Sequence, residues 1–180
     1  MKKLFPQYIP SGRWRTAEEK KWLDGNTWQT IRKQVLLRNN NTCQYCGHRA
    51  LKYQIVNHIN GDSSDHSPEN LETVCQMCNL ILHAGMGCVV LGVVDLYAET
   101  KYSQNKVISV TRTMRFQGSD DEEIIQSLGL KNKMGFKMNH DYLKSLTAFV
   151  TSRPPNEHRK KEVRIWHDTN GYLQVGPKFE

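Results

Sequence analysis

Two cysteine pairs frame the part of this chain best equipped for chemistry. Cys43 and Cys46 stand in TCQYCG, Cys75 and Cys78 in VCQMC, with 28 residues between the pairs. Each C-x2-C turn aims two thiolates at one point, and two such turns close a tetrahedral structural zinc site. The spacing is wider than in a typical zinc ribbon, so the intervening segment must be a module of its own. That segment carries His58 and Asn70, and Asn79 and His83 follow directly after the second pair. Asn79 and His83 are four residues apart, so a helix beginning at the second cysteine pair presents both from one face. With His58 at a strand end, and zinc tying the helix to the first cysteine turn, a rigid cup is expected. His58 would form one wall, Asn79 and His83 the other. Such a cup either activates water beside a metal ion or is a polar loop pinned by zinc.

These residues need elements to hold them. TWQTIRKQVLLRNN reads as a helix that Thr27 can cap, with Trp28, Ile31, Val35 and Leu36 on one face and Arg32, Lys33 and Arg38 outside. NNNTCQYCG breaks it with turn formers. LKYQIVNHI alternates enough for a strand, NGDSSDHSPEN is a loop, LETVC is a short strand, and QMCNLILHAG is a helix closed by Gly85. Beyond Gly87, CVVLGVVDLYA is either a buried strand or a core helix. GSDDEEIIQSLGL predicts a helix with a capping box at Ser119 and Glu122. NHDYLKSLTAFVTS places Tyr142, Leu143, Leu146, Phe149 and Val150 on one face. RPPNEHRKK reads as a basic linker, and VRIWHDTNGYLQV as a hairpin turning at Asn170-Gly171. His48 and His66 read as loop residues, Trp14, Trp22 and Trp28 as core or arm anchors, and Cys88 as a small buried hydrophobe.

WQTIRKQVLLRNNNTCQYCG followed by VNHINGD…ENLETVCQMCNLILH resembles the HNH endonuclease family, whose core is the ββα-metal fold. The resemblance covers roughly residues 27–85, with the helix, both cysteine pairs and the motif positions in order. It implies a ββα-metal core stabilised by zinc over 27–87 in an α+β chain; residues 1–26, which mix Pro, Gly and charge, read as a basic arm, and 88–180 as a mixed α/β C-terminal extension. It also implies roles. His58 falls on the general base, and Asn70 on the loop asparagine that orients it through backbone hydrogen bonds. Asn57 and Asn79 fall on the positions that hold one divalent ion, Mg²⁺ or Mn²⁺. His83 falls on a further histidine that contacts metal or phosphate. Where the family often carries Asp or His before the base, this chain has Asn57. The metal pair would then be two neutral amides, with Asp62, Asp65 or His83 available to add a donor.

The formal charge is +7, with 38% apolar and 24% charged residues, ordinary for a globular domain except in how the charge is placed. Residues 1–38 hold nine Lys/Arg against three acids and residues 131–180 ten against five, while the stretch between has six against ten. Two basic flanks around an acidic centre suit a polyanion gripped at its edges. Arg32, Lys33, Arg159, Lys160 and Lys161 are the candidate nucleic-acid contacts. No apolar run approaches a membrane span, and the start lacks the apolar core of a secretory signal, so a cytoplasmic protein with reduced cysteines is expected. The expected partner is DNA, and residues beyond 86 would add grip, specificity or a homodimer surface. The alternative is an inactive HNH-like zinc scaffold that binds protein partners, for example as an adaptor in a type IV secretion coupling complex.

Overall fold

The computed structural model describes residues 1–9, 22 and 25–156 of the chain, and the protein is α+β. Helix α1 spans Asn26–Arg38. Its N-cap is Gly25, two residues before the expected Thr27, with no side-chain cap bond. Trp28, Val35 and Leu36 are buried against Val56 and Leu71, as the helical spacing requires. Asn40 and Asn41 both adopt φ of 51°, the left-handed region that asparagine tolerates better than most residues. They turn the chain sharply into the first cysteine pair. There Gly47, at φ 72°, closes the turn by donating its N–H to the Cys43 carbonyl at 3.0 Å.

Strands β1 (Ile55–His58) and β2 (Leu71–Val74) pair antiparallel, with Asn57 opposite Glu72 and His58 opposite Leu71. Side chains alternate faces along β1. Val56 therefore packs under α1, and Asn57 turns to the other side. Helix α2 spans Gln76–Leu82 and completes the ββα unit. Gly85 does not end it as expected. Its φ of −58° is helical, and the chain continues into a π-helical turn over Met86–Val90. The ambiguous stretch 88–98 is thus divided between that turn and strand β3 (Val94–Glu99).

The C-terminal part adds α3 (Gln104–Phe116), α4 (Asp121–Leu128), β4 (Lys131–Met134), α5 (His140–Lys144) and β5 (Thr147–Val150). Strand β3 is the centre of an antiparallel sheet in the order β4-β3-β5. Helix α3 and strand β4 have no counterpart in the sequence expectations. The single face expected over 139–152 is instead a short helix and a strand, which put Leu143 and Phe149 into different clusters. The α4 cap is Asp120 rather than Ser119, its carboxylate accepting from Glu123 N at 2.9 Å. The linker beyond Asn156, the hairpin at Asn170-Gly171, Trp14, Arg159, Lys160 and Lys161 lie outside the described residues.

Both sides of this sheet are covered. Val94, Leu96, Ala148 and Val150 join Ile81 of α2 and Cys43, Cys75 and Cys78 in one apolar cluster. The alternate residues Tyr97 and Phe149 join Val107, Ile124 and Leu128 in another. The first nine residues form no helix or strand, yet they are stitched in. Gln7 bonds the Ile81 carbonyl and the Ala84 N–H at 3.0 and 2.7 Å, and Lys2 N reaches the Gln44 carbonyl at 2.8 Å. Asn105 of α3 bridges this strip to the first cysteine turn, donating to the Lys2 and Tyr45 carbonyls at 2.7 Å each. Ile81 sits at 0% exposure where these parts meet. Ile81→Ala should therefore cost about 2–5 kcal/mol in zinc-loaded protein, read from urea unfolding.

Candidate functional site

The ligand atoms of Cys43, Cys46, Cys75 and Cys78 all lie within 4.8 Å of one another, with Cys46 Sγ and Cys75 Sγ 3.6 Å apart. Sulfurs about 2.3 Å from a tetrahedral zinc stand roughly 3.8 Å apart, so the cluster fits that ion. Cys88 is not part of it. Crowding divides the thiols. Cys43 is held far below the ordinary thiol range, first by its hydrogen bond with Cys46, and Cys78 is pushed above it, first by its bond with Cys43. Four thiolates accumulate here only with a cation among them. Arg112 of α3 adds a charge-assisted bond to Cys75 Sγ at 3.2 Å. The C-terminal extension thus reaches the zinc centre directly, which nothing local in the sequence indicated.

Beside this anchor lies a cleft of about 410 Å³ lined by Asn57, His58 and His83, with Tyr8, Tyr45 and His140 also contributing. The Tyr8 and His140 rings stack at 4.3 Å, so the N-terminal strip and α5 help to build its lining. His83 Nε2 stands 3.2 Å from Asn57 Oδ1. The opposite end of the Asn57 amide, Nδ2, donates to Glu72 Oε1 at 3.1 Å. Glu72 in turn accepts from Tyr45 OH at 2.8 Å and pairs with Lys2 Nζ at 2.7 Å. Burial first, then the Glu72 charge, pushes the Tyr45 phenol well above its ordinary value.

His58 ends β1 and borders the cleft. Its ring stacks on Trp28 with centroids 5.6 Å apart, and its Nε2 lies 3.2 Å from His66 Nδ1. His66 stacks in turn on Trp22 at 4.0 Å. The strand alternation explains this. His58 shares the α1 side with Val56, so it is Asn57 that meets His83 across the gap. Asn79, one turn earlier on α2, is half-buried and does not line the cleft. Asn70 clamps the loop after β1: its Oδ1 accepts from Asn60 N at 2.9 Å and its Nδ2 donates to the Asp65 carbonyl at 2.8 Å.

The remaining sequence candidates have other engagements. Arg32 donates to the Gln54 carbonyl at 2.7 Å, whereas Lys33 is exposed. Asp62 and Asp65 accept from Ser64 N and Ser67 N at 2.9 and 3.1 Å, shaping their own loop. Sequence reasoning passed over His66 and Glu72. A loop histidine and a strand glutamate carry no local signal, and only the register and the loop path bring them to His58 and Asn57.

Comparisons with known proteins agree with this frame. Residues 43–85 match the family model for HNH endonuclease. Over 67 residues the chain is 31% identical to the Type 4 apparatus protein DotN of Legionella pneumophila, a stretch that is 37% of this chain. The match spans 30% of that relative's length. Together with a strand-strand-helix unit closed by four cysteines, the family match places residues 43–85 in the HNH endonuclease family.

Proposed function

We propose that this protein is a metal-dependent endonuclease that hydrolyses DNA phosphodiester bonds in the cytoplasm, with residues 27–87 as its catalytic unit and 88–180 as an extension. The observation that carries this reading is the 3.2 Å approach of His83 Nε2 to Asn57 Oδ1 on a cleft that His58 borders. Two neighbouring ligands of an octahedral ion, each at about 2.1 Å, stand roughly 3.0 Å apart, so this oxygen and nitrogen suit one Mg²⁺ or Mn²⁺. When bound, such an ion neutralises charge on the phosphate and the leaving oxygen.

The chain's own residues do the rest. His58 takes the proton of the attacking water, the work for which an imidazole is the side chain best suited near neutral pH. Its contact with His66 selects the tautomer, and the Trp28 stack holds the ring plane. Asn70 keeps the loop at the strand end in place. Lys33, Arg159, Lys160 and Lys161 supply phosphate contacts at the edges.

Zinc-loaded protein should nick or linearise plasmid with Mg²⁺ or Mn²⁺ and not with EDTA. Its affinity for duplex DNA should fall steeply with salt, by about 0.9 in log–log slope for each phosphate contacted. Neutralising Arg159, Lys160 and Lys161 together should weaken binding and leave metal uptake intact. A second reading is favoured by the similarity to DotN and by the burial of His58 at 5% exposure. On that reading the protein is an inactive scaffold for protein partners in a type 4 apparatus. Wild-type protein inert with every divalent metal, and binding DNA without salt dependence, would decide for the scaffold.

A further inference from the structure

Asn57 and His83 would both bind a cation as neutral ligands, and neutral donors alone hold Mg²⁺ or Mn²⁺ weakly, since these ions favour carboxylates. A carboxylate stands directly behind them. Glu72 lies opposite Asn57 in the hairpin, and its side chain is 3% exposed. Oε1 receives the Tyr45 hydroxyl and the Asn57 amide N–H, and Oε2 receives Lys2. Burying a carboxylate is costly, and a strand position gains nothing from it that an apolar side chain would not supply. The arrangement does achieve one thing for the cleft. A carboxylate paired with lysine only accepts hydrogen bonds, so the Asn57 amide must turn its NH₂ toward Glu72 and its oxygen toward His83.

We propose that Glu72 is the positioning residue that makes a neutral asparagine serve as a ligand for a divalent cation. It locks Oδ1 toward His83, polarises the amide through the N–H bond, and lends negative charge to the site. This is the relation by which outer carboxylates orient and strengthen metal-bound histidines. Lys2, whose side chain is 47% exposed, works against it by offsetting part of that charge. The inference rests on the reading of the cleft as a metal site.

The two residues therefore predict opposite effects on Mn²⁺ affinity, measured on the zinc-loaded full chain from the electron paramagnetic resonance signal of free Mn²⁺. Glu72→Gln keeps an oxygen for Asn57 and Tyr45 but removes the charge, and should weaken Mn²⁺ binding about 10- to 100-fold. Lys2→Gln should tighten it by about threefold, the scale of one half-exposed ion pair. A gain in affinity cannot come from structural damage. Equal affinity in wild type and Glu72→Gln overturns the proposal, as does a wild type that takes up no Mn²⁺. If Glu72→Gln does not fold, Lys2→Gln decides alone, and unchanged or weaker binding overturns it. Weaker Mn²⁺ binding in Glu72→Gln, with a wild type that cuts no DNA, keeps this role for Glu72 and removes the nuclease reading. Cleavage by wild type with Mn²⁺ affinity unchanged in Glu72→Gln does the reverse.

Discussion

His58→Ala is expected to lower the rate of metal-dependent plasmid cleavage by about 10²- to 10⁴-fold, the range for losing a general base. Zinc content, DNA affinity and Mn²⁺ affinity should stay at wild-type levels, because the ring belongs to neither metal site. The ring is nevertheless buried and stacked on Trp28, so some loss of stability will accompany the change. Far-ultraviolet circular dichroism and thermal melting separate that from a kinetic defect. His66→Ala gives a second readout. It leaves the base present but removes the partner 3.2 Å away, so the loss should be smaller, roughly tenfold, and the pH profile of cleavage should change shape. A structural role for His66 alone would lower activity at every pH by the same factor. If His58→Ala cleaves like wild type, the nuclease in the preparation is not this site.

Removing zinc should have the largest effect on the fold. Apparent binding free energies of structural zinc are about 10–16 kcal/mol at neutral pH, more than the whole stability of many domains. Here the ligands are also core residues. Cys78 is 0% and Cys43 1% exposed, in one cluster with Leu4, Ile81 and Val94. Chelation, or Cys78→Ser, should therefore unfold residues 43–85 and loosen the packing of β3 and β5 against α2. The expected signs are loss of helical signal, rapid amide exchange across α2, and release of one zinc per chain by elemental analysis. Acid should act in the same direction. Ligation requires thiolates, so protons compete with zinc for the same four sulfurs, and stability present at neutral pH is lost as the pH falls. A chain that keeps its melting temperature without zinc would show that the cysteines are ordinary core residues.

The zinc cluster was legible because it depends on local spacing. Two C-x2-C turns aim their sulfurs whatever surrounds them, and the structure places all four within a few ångströms of one another. Helix α1 was legible for a similar reason, since Trp28, Val35 and Leu36 recur at the helical period and bury a stripe. The ends of elements were less so. Asp120 rather than Ser119 caps α4, and Gly85 continues a helical path, because neighbouring oxygens and packing compete for each terminus on small energy differences. Helix α3 escaped notice since its buried positions, Val107, Ile108 and Thr111, are few and lie among Lys106, Arg112 and Arg115. It becomes a helix by docking between two clusters rather than by its own pattern.

The cleft depended on tertiary structure most of all. A one-residue change of register in the hairpin would exchange the faces of Asn57 and His58, so composition could name both residues but not say which one faces His83. The pairing of Asn57 with Glu72 decided that, and the loop clamped by Asn70 brought His66 to His58. The sequence alone determined which atoms were available: four sulfurs, three imidazoles and a set of amides between the cysteine pairs. Which of them meet was decided by strand register and loop path, because hydrogen bonds and donor distances act over a few ångströms while the partners stand tens of residues apart in the chain.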